Sequence, residues 1–142
     1  MKQTVATVPD EANAVRHEVI EHYGRLLASG DLEEILKLYH PDAEIVPHGL
    51  PTVSGINEIK KFYQETFKSI KIHGSLQVTS VFHSGDVCCV RCEEPARVEE
   101  LRTGKMKNSY FRELFVVKKC CNGWKIQYYF FSENPSQART TE

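Results

Sequence analysis

The sequence predicts an α+β domain, with three N-terminal helices packed in a curved, mostly antiparallel sheet. Three observations carry this. Up to about Ser69 the apolar residues recur at spacings of three and four, the signature of helices buried along one stripe. From Leu76 onward they alternate, or gather in runs rich in Val, Ile, Phe and Tyr that suit strands. Asn122-Gly123 divides the two richest runs, within YFRELFVVKKCCNGWKIQYYFFS from Tyr110 to Ser132, and Asn-Gly is a strong signal for a two-residue hairpin turn.

The totals fit one soluble domain with a real core: 142 residues, 41% hydrophobic and 26% charged. The net charge is −1, and the densest basic points, Lys60-Lys61 and Lys118-Lys119, form no stripe. Neither nucleic acid nor a membrane surface is therefore expected as a partner. No apolar run approaches the roughly 20 residues of a membrane span. The opening MKQTVATVPDE lacks an apolar leader core, so a cytoplasmic location is expected. Of the 5 cysteines, Cys88, Cys89 and Cys92 share one strand, while Cys120 and Cys121 end another. Vicinal cysteines do not readily bridge each other, so free thiols are expected. Cys89 and Cys92 have CxxC spacing, but no second such pair follows, and no metal site is expected.

Residues 1–9 read as a loose tail. Asp10 is a plausible N-cap for a first helix whose stripe is Ala12, Val15, Val19, Tyr23 and Leu26. Ser29-Gly30 stops it, glycine being the usual left-handed residue after a helix. Asp31 with Glu34 makes a variant capping box for a short second helix that buries Leu32, Ile35, Leu36 and Tyr39 and ends at Pro41. A brief strand, Ala43 to Val46, leads into the loop Pro47-His48-Gly49-Leu50-Pro51. Ser54-Gly55 opens a third helix packed through Ile56, Ile59, Phe62, Tyr63 and Phe67. Strands follow over Leu76 to His83 and Val87 to Glu93, where Pro95 marks a bulge or an edge. Ala96 to Leu101 continues that strand, and the Asn-Gly hairpin comes next. The domain is expected to span residues 10–132, and residues 133–142 read as a polar tail.

With Asn122-Gly123 as the loop, Cys121 pairs with Trp124 and Glu113 faces Ser132. One face then carries Phe111, Glu113, Phe115, Val117, Ile126, Tyr128 and Phe130. The other carries Tyr110, Arg112, Leu114, Val116, Lys118, Gln127, Tyr129 and Phe131, of which Tyr110, Leu114, Val116, Tyr129 and Phe131 form an apolar patch. Glu113 is the one acid on its face, and a carboxylate among apolar groups is either given a partner or pushed towards neutrality. It reads in two ways: paired with Arg112, Lys118 or another cation at a strand end, or aimed into a pocket. A one-residue slip in register would exchange the faces.

The stretch Tyr23 to Phe67, with Gly30-Asp31, Tyr39, Asp42-Ala43, Ser54-Gly55, Ile59 and Phe62-Tyr63, resembles the nuclear transport factor 2-like superfamily. FRELFVV at Phe111 to Val117, with Trp124 after the turn, resembles its late strands. The resemblance covers about residues 10–132. It implies a cone-shaped, cystatin-like α+β barrel, shared by ketosteroid isomerase, scytalone dehydratase, the SnoaL-like polyketide cyclases and the transport factor itself. It also implies site residues. Tyr23 falls where ketosteroid isomerase has its oxyanion-hole Tyr, and Glu113 where that enzyme has a protonated Asp. The general-base position falls in Ile45 to His48, where no carboxylate stands, and His48 is the one group there able to take a proton.

Two functions stay open at this stage. A small hydrophobic molecule would occupy a hollow lined by Tyr23, Phe62, Glu113, Phe115 and Tyr128, with His48 at its mouth, whether merely bound or turned over by proton transfer. Alternatively the domain is a non-catalytic binding module that forms a homodimer through the outer sheet face. Tyr23 could equally be a core tyrosine, and His48 an exposed loop residue. No GxSxG, P-loop or GxGxxG occurs, and no cofactor is expected.

Overall fold

The structure is a computed structural model that describes residues 10–120 and 123–138. The expected tail 1–9, the Cys121-Asn122 part of the hairpin turn and residues 139–142 lie outside them. Helix α1 covers residues 10–29 and buries Val15, Val19, Ile20 and Tyr23. Its central turns, Val15–Glu21, are wound as a π-helix, in which residues five apart become neighbours. Arg16 and Glu21 pair across that interval at 3.4 Å. Gly30, at φ 74°, ends the helix, and Asp31 caps α2 (Leu32–Leu36) by accepting the Glu34 N–H at 3.3 Å. Helix α3 (Ile56–Ser69) turns Ile59 and Tyr63 into the core.

Seven strands follow the order β2-β1-β7-β6-β5-β3, with β4 also paired to β5. They are β1 (Tyr39–Val46), β2 (Val53–Ser54), β3 (Ile70–Gly74), β4 (Gln77–Ser84), β5 (Val87–Glu100), β6 (Met106–Cys120) and β7 (Gly123–Glu133). All pairings are antiparallel except β1 with β7. The expected α+β class with a mostly antiparallel sheet is what the chain adopts. Three boundaries move. β1 begins at Tyr39, ahead of Pro41; β3 directly continues α3; and β7 runs through Glu133, followed by a single 3-10 turn, Pro135–Gln137.

Pro95 does not interrupt β5. It falls between the pairing of Glu93 with Gln77 in β4 and of Ala96 with Gly74 in β3, where the neighbouring edge changes strand. The sheet wraps its inner face around the helices. One core cluster joins Tyr23, Ile35, Ile45, Ile59 and Tyr63 to Val90, Phe115, Val117 and Ile126.

The hairpin register differs from the one expected. Cys120 pairs with Gly123 and Lys119 with Trp124. Val117 faces Ile126 instead of Tyr128, a two-residue change that preserves the faces. A bulge then leaves Gln127 unpaired, and Val116 meets Tyr128. In an element of period two, one extra residue turns everything after it to the opposite side. Tyr129 and Phe131 therefore point inward against Phe115 and Glu113, and Tyr128 and Phe130 point outward, 39% and 45% exposed. Glu113 keeps its inward position, with Phe131 rather than Ser132 opposite.

Among the described residues no helix is long and apolar enough to cross a membrane. The described cysteines, Cys88, Cys89, Cys92 and Cys120, are free thiols.

Candidate functional site

The wide end of the sheet leaves a cavity of about 300 Å³ between α1, α3 and the inner faces of β5, β6 and β7. That is at the small end of the range for ligand sites. Its apolar wall includes Phe62, Ile72, Phe111 and Phe131. Its polar groups are Tyr23, Tyr63, Glu94, Glu113 and Tyr129 inside, with His48, Lys107 and Glu133 also in the lining.

Alternation along β6 turns Phe111, Glu113, Phe115 and Val117 inward, which buries Glu113 to 4% exposure. Tyr129 Oη donates to Glu113 Oε2 at 3.0 Å. Glu113 Oε1 is fully buried and has no hydrogen-bond partner among the described residues. Arg91, on the neighbouring strand, gives its guanidinium to backbone oxygens of Cys92 and Glu113 and to the Glu93 carboxylate, and not to the Glu113 side chain. Burial, and after it the nearby Glu94, push the Glu113 carboxyl up to about 8. At neutral pH it is therefore mostly protonated. With Oε2 already accepting from Tyr129, its proton belongs on Oε1, and the group becomes a hydrogen-bond donor.

Beside it is a chain of phenols. Tyr63 Oη lies 2.8 Å from Tyr23 Oη and 2.6 Å from Tyr39 Oη. Burial holds Tyr23, Tyr39, Tyr63 and Tyr129 well above the ordinary tyrosine value, so all four remain neutral.

The second inward carboxyl is Glu94 on β5, 5% exposed and pushed up to about 7 by burial. It follows Cys88, Val90 and Cys92 along one face. Glu133, also in the lining, behaves differently. Burial works to raise it, but Ser109 donates to it and Lys107 lies 3.2 Å away, and together they hold it below the usual carboxylate range.

Of the residues singled out in the sequence, Tyr23, Phe62, Glu113 and His48 all line the cavity. His48 stands exposed in the loop after β1. Phe115 does not line it. It lies fully buried behind the cavity, stacked on Tyr129 with ring centroids 4.3 Å apart and 5.4 Å from the Tyr23 ring. Tyr128 is on the far side of the sheet, because the Gln127 bulge gives its expected place to Tyr129. Sequence reasoning missed Glu94 as well; carrying the alternation of β5 through Pro95 would have placed it inward. Burial lifts the thiols of Cys88 and Cys92 above the ordinary range, which makes them small packing groups rather than nucleophiles. Among the described residues no His, Cys, Asp and Glu gather as a metal site.

A curved, mostly antiparallel sheet wrapped around three helices is the architecture of the nuclear transport factor 2-like class. The SnoaL-like domain family matches residues 19–119, and the chain belongs to that family. A ketosteroid isomerase-like protein from Erwinia carotovora atroseptica is similar in structure, with a TM-score of 0.77 at 21% identity over 94% of this chain and 98% of that one. A nuclear transport factor 2-like protein with a cystatin-like fold from Novosphingobium aromaticivorans has a TM-score of 0.73 at 20% identity over 95% and 90%. A protein from Streptomyces avermitilis named as a candidate dehydratase of the same family has 0.78 at 19% over 90% and 99%. These likenesses carry the fold. No curated protein sequence matches the chain.

Proposed function

We propose that the cavity takes a small hydrophobic molecule bearing a carbonyl or phenolic oxygen, and that proton transfer next to that oxygen is its chemistry. The observation that carries this reading is Glu113 Oε1, a buried carboxyl oxygen on the cavity wall with no partner among the described residues. An unpartnered buried polar atom is costly, and a ligand oxygen in the cavity would satisfy it. A neutral carboxylic acid in a dry site stabilises the negative charge that builds on a carbonyl oxygen as a neighbouring carbon loses its proton. The relatives named for isomerase-like and dehydratase-like proteins support the same class of reaction. The test is titration with 2-naphthol, followed by fluorescence. The wild type should bind it, and Glu113→Gln should bind more weakly while keeping its circular dichroism. Equal binding by both, or none by the wild type, ends the reading.

The outer sheet face favours a second reading that is compatible with the first: a homodimer packed sheet to sheet. Tyr128 and Phe130, both exposed, stand directly opposite Val116 and Leu114, which makes a continuous apolar patch of cross-strand pairs. Light scattering at micromolar concentration should give twice the chain mass, and Phe130→Glu should return it to that of a single chain. A wild type that is strictly monomeric refutes the dimer. The free thiols fit the cytoplasmic location we propose for the protein.

A further inference from the structure

Within the cavity one group is left without work by the reading above. Glu94 is almost fully buried, and no hydrogen bond or ion pair engages its carboxyl among the described residues. β5 and β6 pair Cys92 with Glu113 and Glu94 with Phe111. The two glutamates are thus diagonal neighbours on one sheet face, with Cβ atoms about 7–8 Å apart. A flat ring lying between them could place its oxygen on one and an adjacent carbon against the other. The Glu94 carboxyl is also confined: a Cβ at Gly74, across on β3, would come within 2.9 Å of its Oε2. The side chain therefore occupies space that only a glycine leaves open.

Resting on the carbonyl-site reading, we propose that Glu94 is the proton-transferring group of this site. Its carboxylate takes a proton from the carbon next to the ligand carbonyl, while Glu113 holds the carbonyl oxygen. The C–H electron pair becomes the C=C bond of an enolate, the C=O π pair moves onto oxygen, and that charge meets the hydrogen bond from Glu113. The Glu94 acid then returns the proton to the same carbon, or to the far carbon of a conjugated system. Nothing is oxidised and nothing leaves. The two carboxyls differ in the direction this needs: burial pushes Glu94 up to about 7, and burial together with the neighbouring Glu94 pushes Glu113 up to about 8. Between those values the base is ionised and the donor is not. The other titratable groups around the cavity are Lys107 from β6, Glu133 and Tyr129 from β7, Tyr23 and Tyr63 from the helices, and His48 from the loop after β1. Lys107 and Glu133 engage each other, the phenols stay neutral, and His48 is exposed.

The experiment is deuterium wash-in from D2O into 2-tetralone, a small apolar ketone, read by mass spectrometry alongside 2-naphthol binding. The wild type should exchange deuterium faster than buffer, with a bell-shaped pH profile whose limbs lie near 7 and 8. Glu94→Gln should lose about 10²–10⁴-fold of that rate together with the lower limb, a loss far beyond any change in its 2-naphthol binding. Exchange by Glu94→Gln at the wild-type rate overturns the proposal and leaves the binding reading intact, as does a wild type that binds 2-naphthol without exchanging. A wild type that does neither removes both. Should Glu94→Gln not fold, Glu94→Asp decides. Slower exchange with a displaced lower limb supports the role, and an unchanged rate and profile refute it.

Discussion

Glu93 and Glu94 are consecutive in β5 and face opposite sides of the sheet. On the outer side Glu93 accepts a hydrogen bond from Tyr110 and pairs with Arg91 at 2.7 Å, and these partners hold its carboxyl below the usual range. On the inner side no hydrogen bond or ion pair engages the Glu94 carboxyl among the described residues, and burial drives it up to about 7. The same side chain is fixed as an anion on one face and poised between its two forms on the other. What separates them is whether the surroundings supply donors, and β5 supplies them on its outer side alone. Glu133 makes the point within the cavity itself, since Ser109 and Lys107 outweigh its burial.

The contrast between faces can be broken in three ways. The largest effect concerns the apolar groups. Phe115→Ala, in the packed inner layer, should cost about 3–5 kcal/mol in urea unfolding, whereas Phe82→Ala, 69% exposed on β4, should stay within about 0.5 kcal/mol. Next comes pH. The inner carboxyls titrate near 7 and 8 when folded, against an ordinary value of 4.5, so the native state holds their protons more tightly than the unfolded chain does. Their stabilising contribution is complete below pH 4.5 and is lost as pH rises through 7 and then 8. Of the loss between pH 5 and 8.5, Glu94→Gln alone should remove about 3 kcal/mol, and a Glu94→Gln, Glu113→Gln double variant should remove more. Glu93→Gln should act with the opposite sign, removing stability that the wild type has at neutral pH and gives up as pH falls. An unchanged pH slope in the double variant would place the inner carboxyls in water. The smallest effect sharpens the picture at one atom. Tyr129→Phe withdraws the one donor to the Glu113 carboxyl among the described residues and should raise its titration further above the ordinary range, read by carbon-13 NMR.

Much of this was legible in the sequence. The stripes of α1 and α3, the capping pair Asp31 and Glu34, and the shared face of Phe111, Glu113, Phe115 and Val117 on β6 follow from spacing alone. That this face points into a pocket with Tyr23 beside it came from the family resemblance, since spacing left Glu113 with two readings. What was illegible depended on single residues that break a period. Gln127 exchanged Tyr128 for Tyr129, and nothing about a lone glutamine in a strand announces a bulge. Pro95 suggested a break in β5, yet the neighbouring edge changes strand there, so Glu94 stayed in the alternation and went unseen. Phe115 was given the correct face and the wrong depth, because periodicity reports direction and says nothing about how far a tapering interior has already filled.

The bulge at Gln127 has a consequence for how this scaffold can vary. Removing that residue would leave Ile126 beside Tyr128 in plain alternation, with Tyr129 and Phe131 still turned inward. The roster of lining side chains would survive, but the bend that an inserted residue imposes on its strand would relax. Length at this point of β7 therefore acts as a volume dial for the hollow, adjustable by one codon without rewriting the chemistry of its walls.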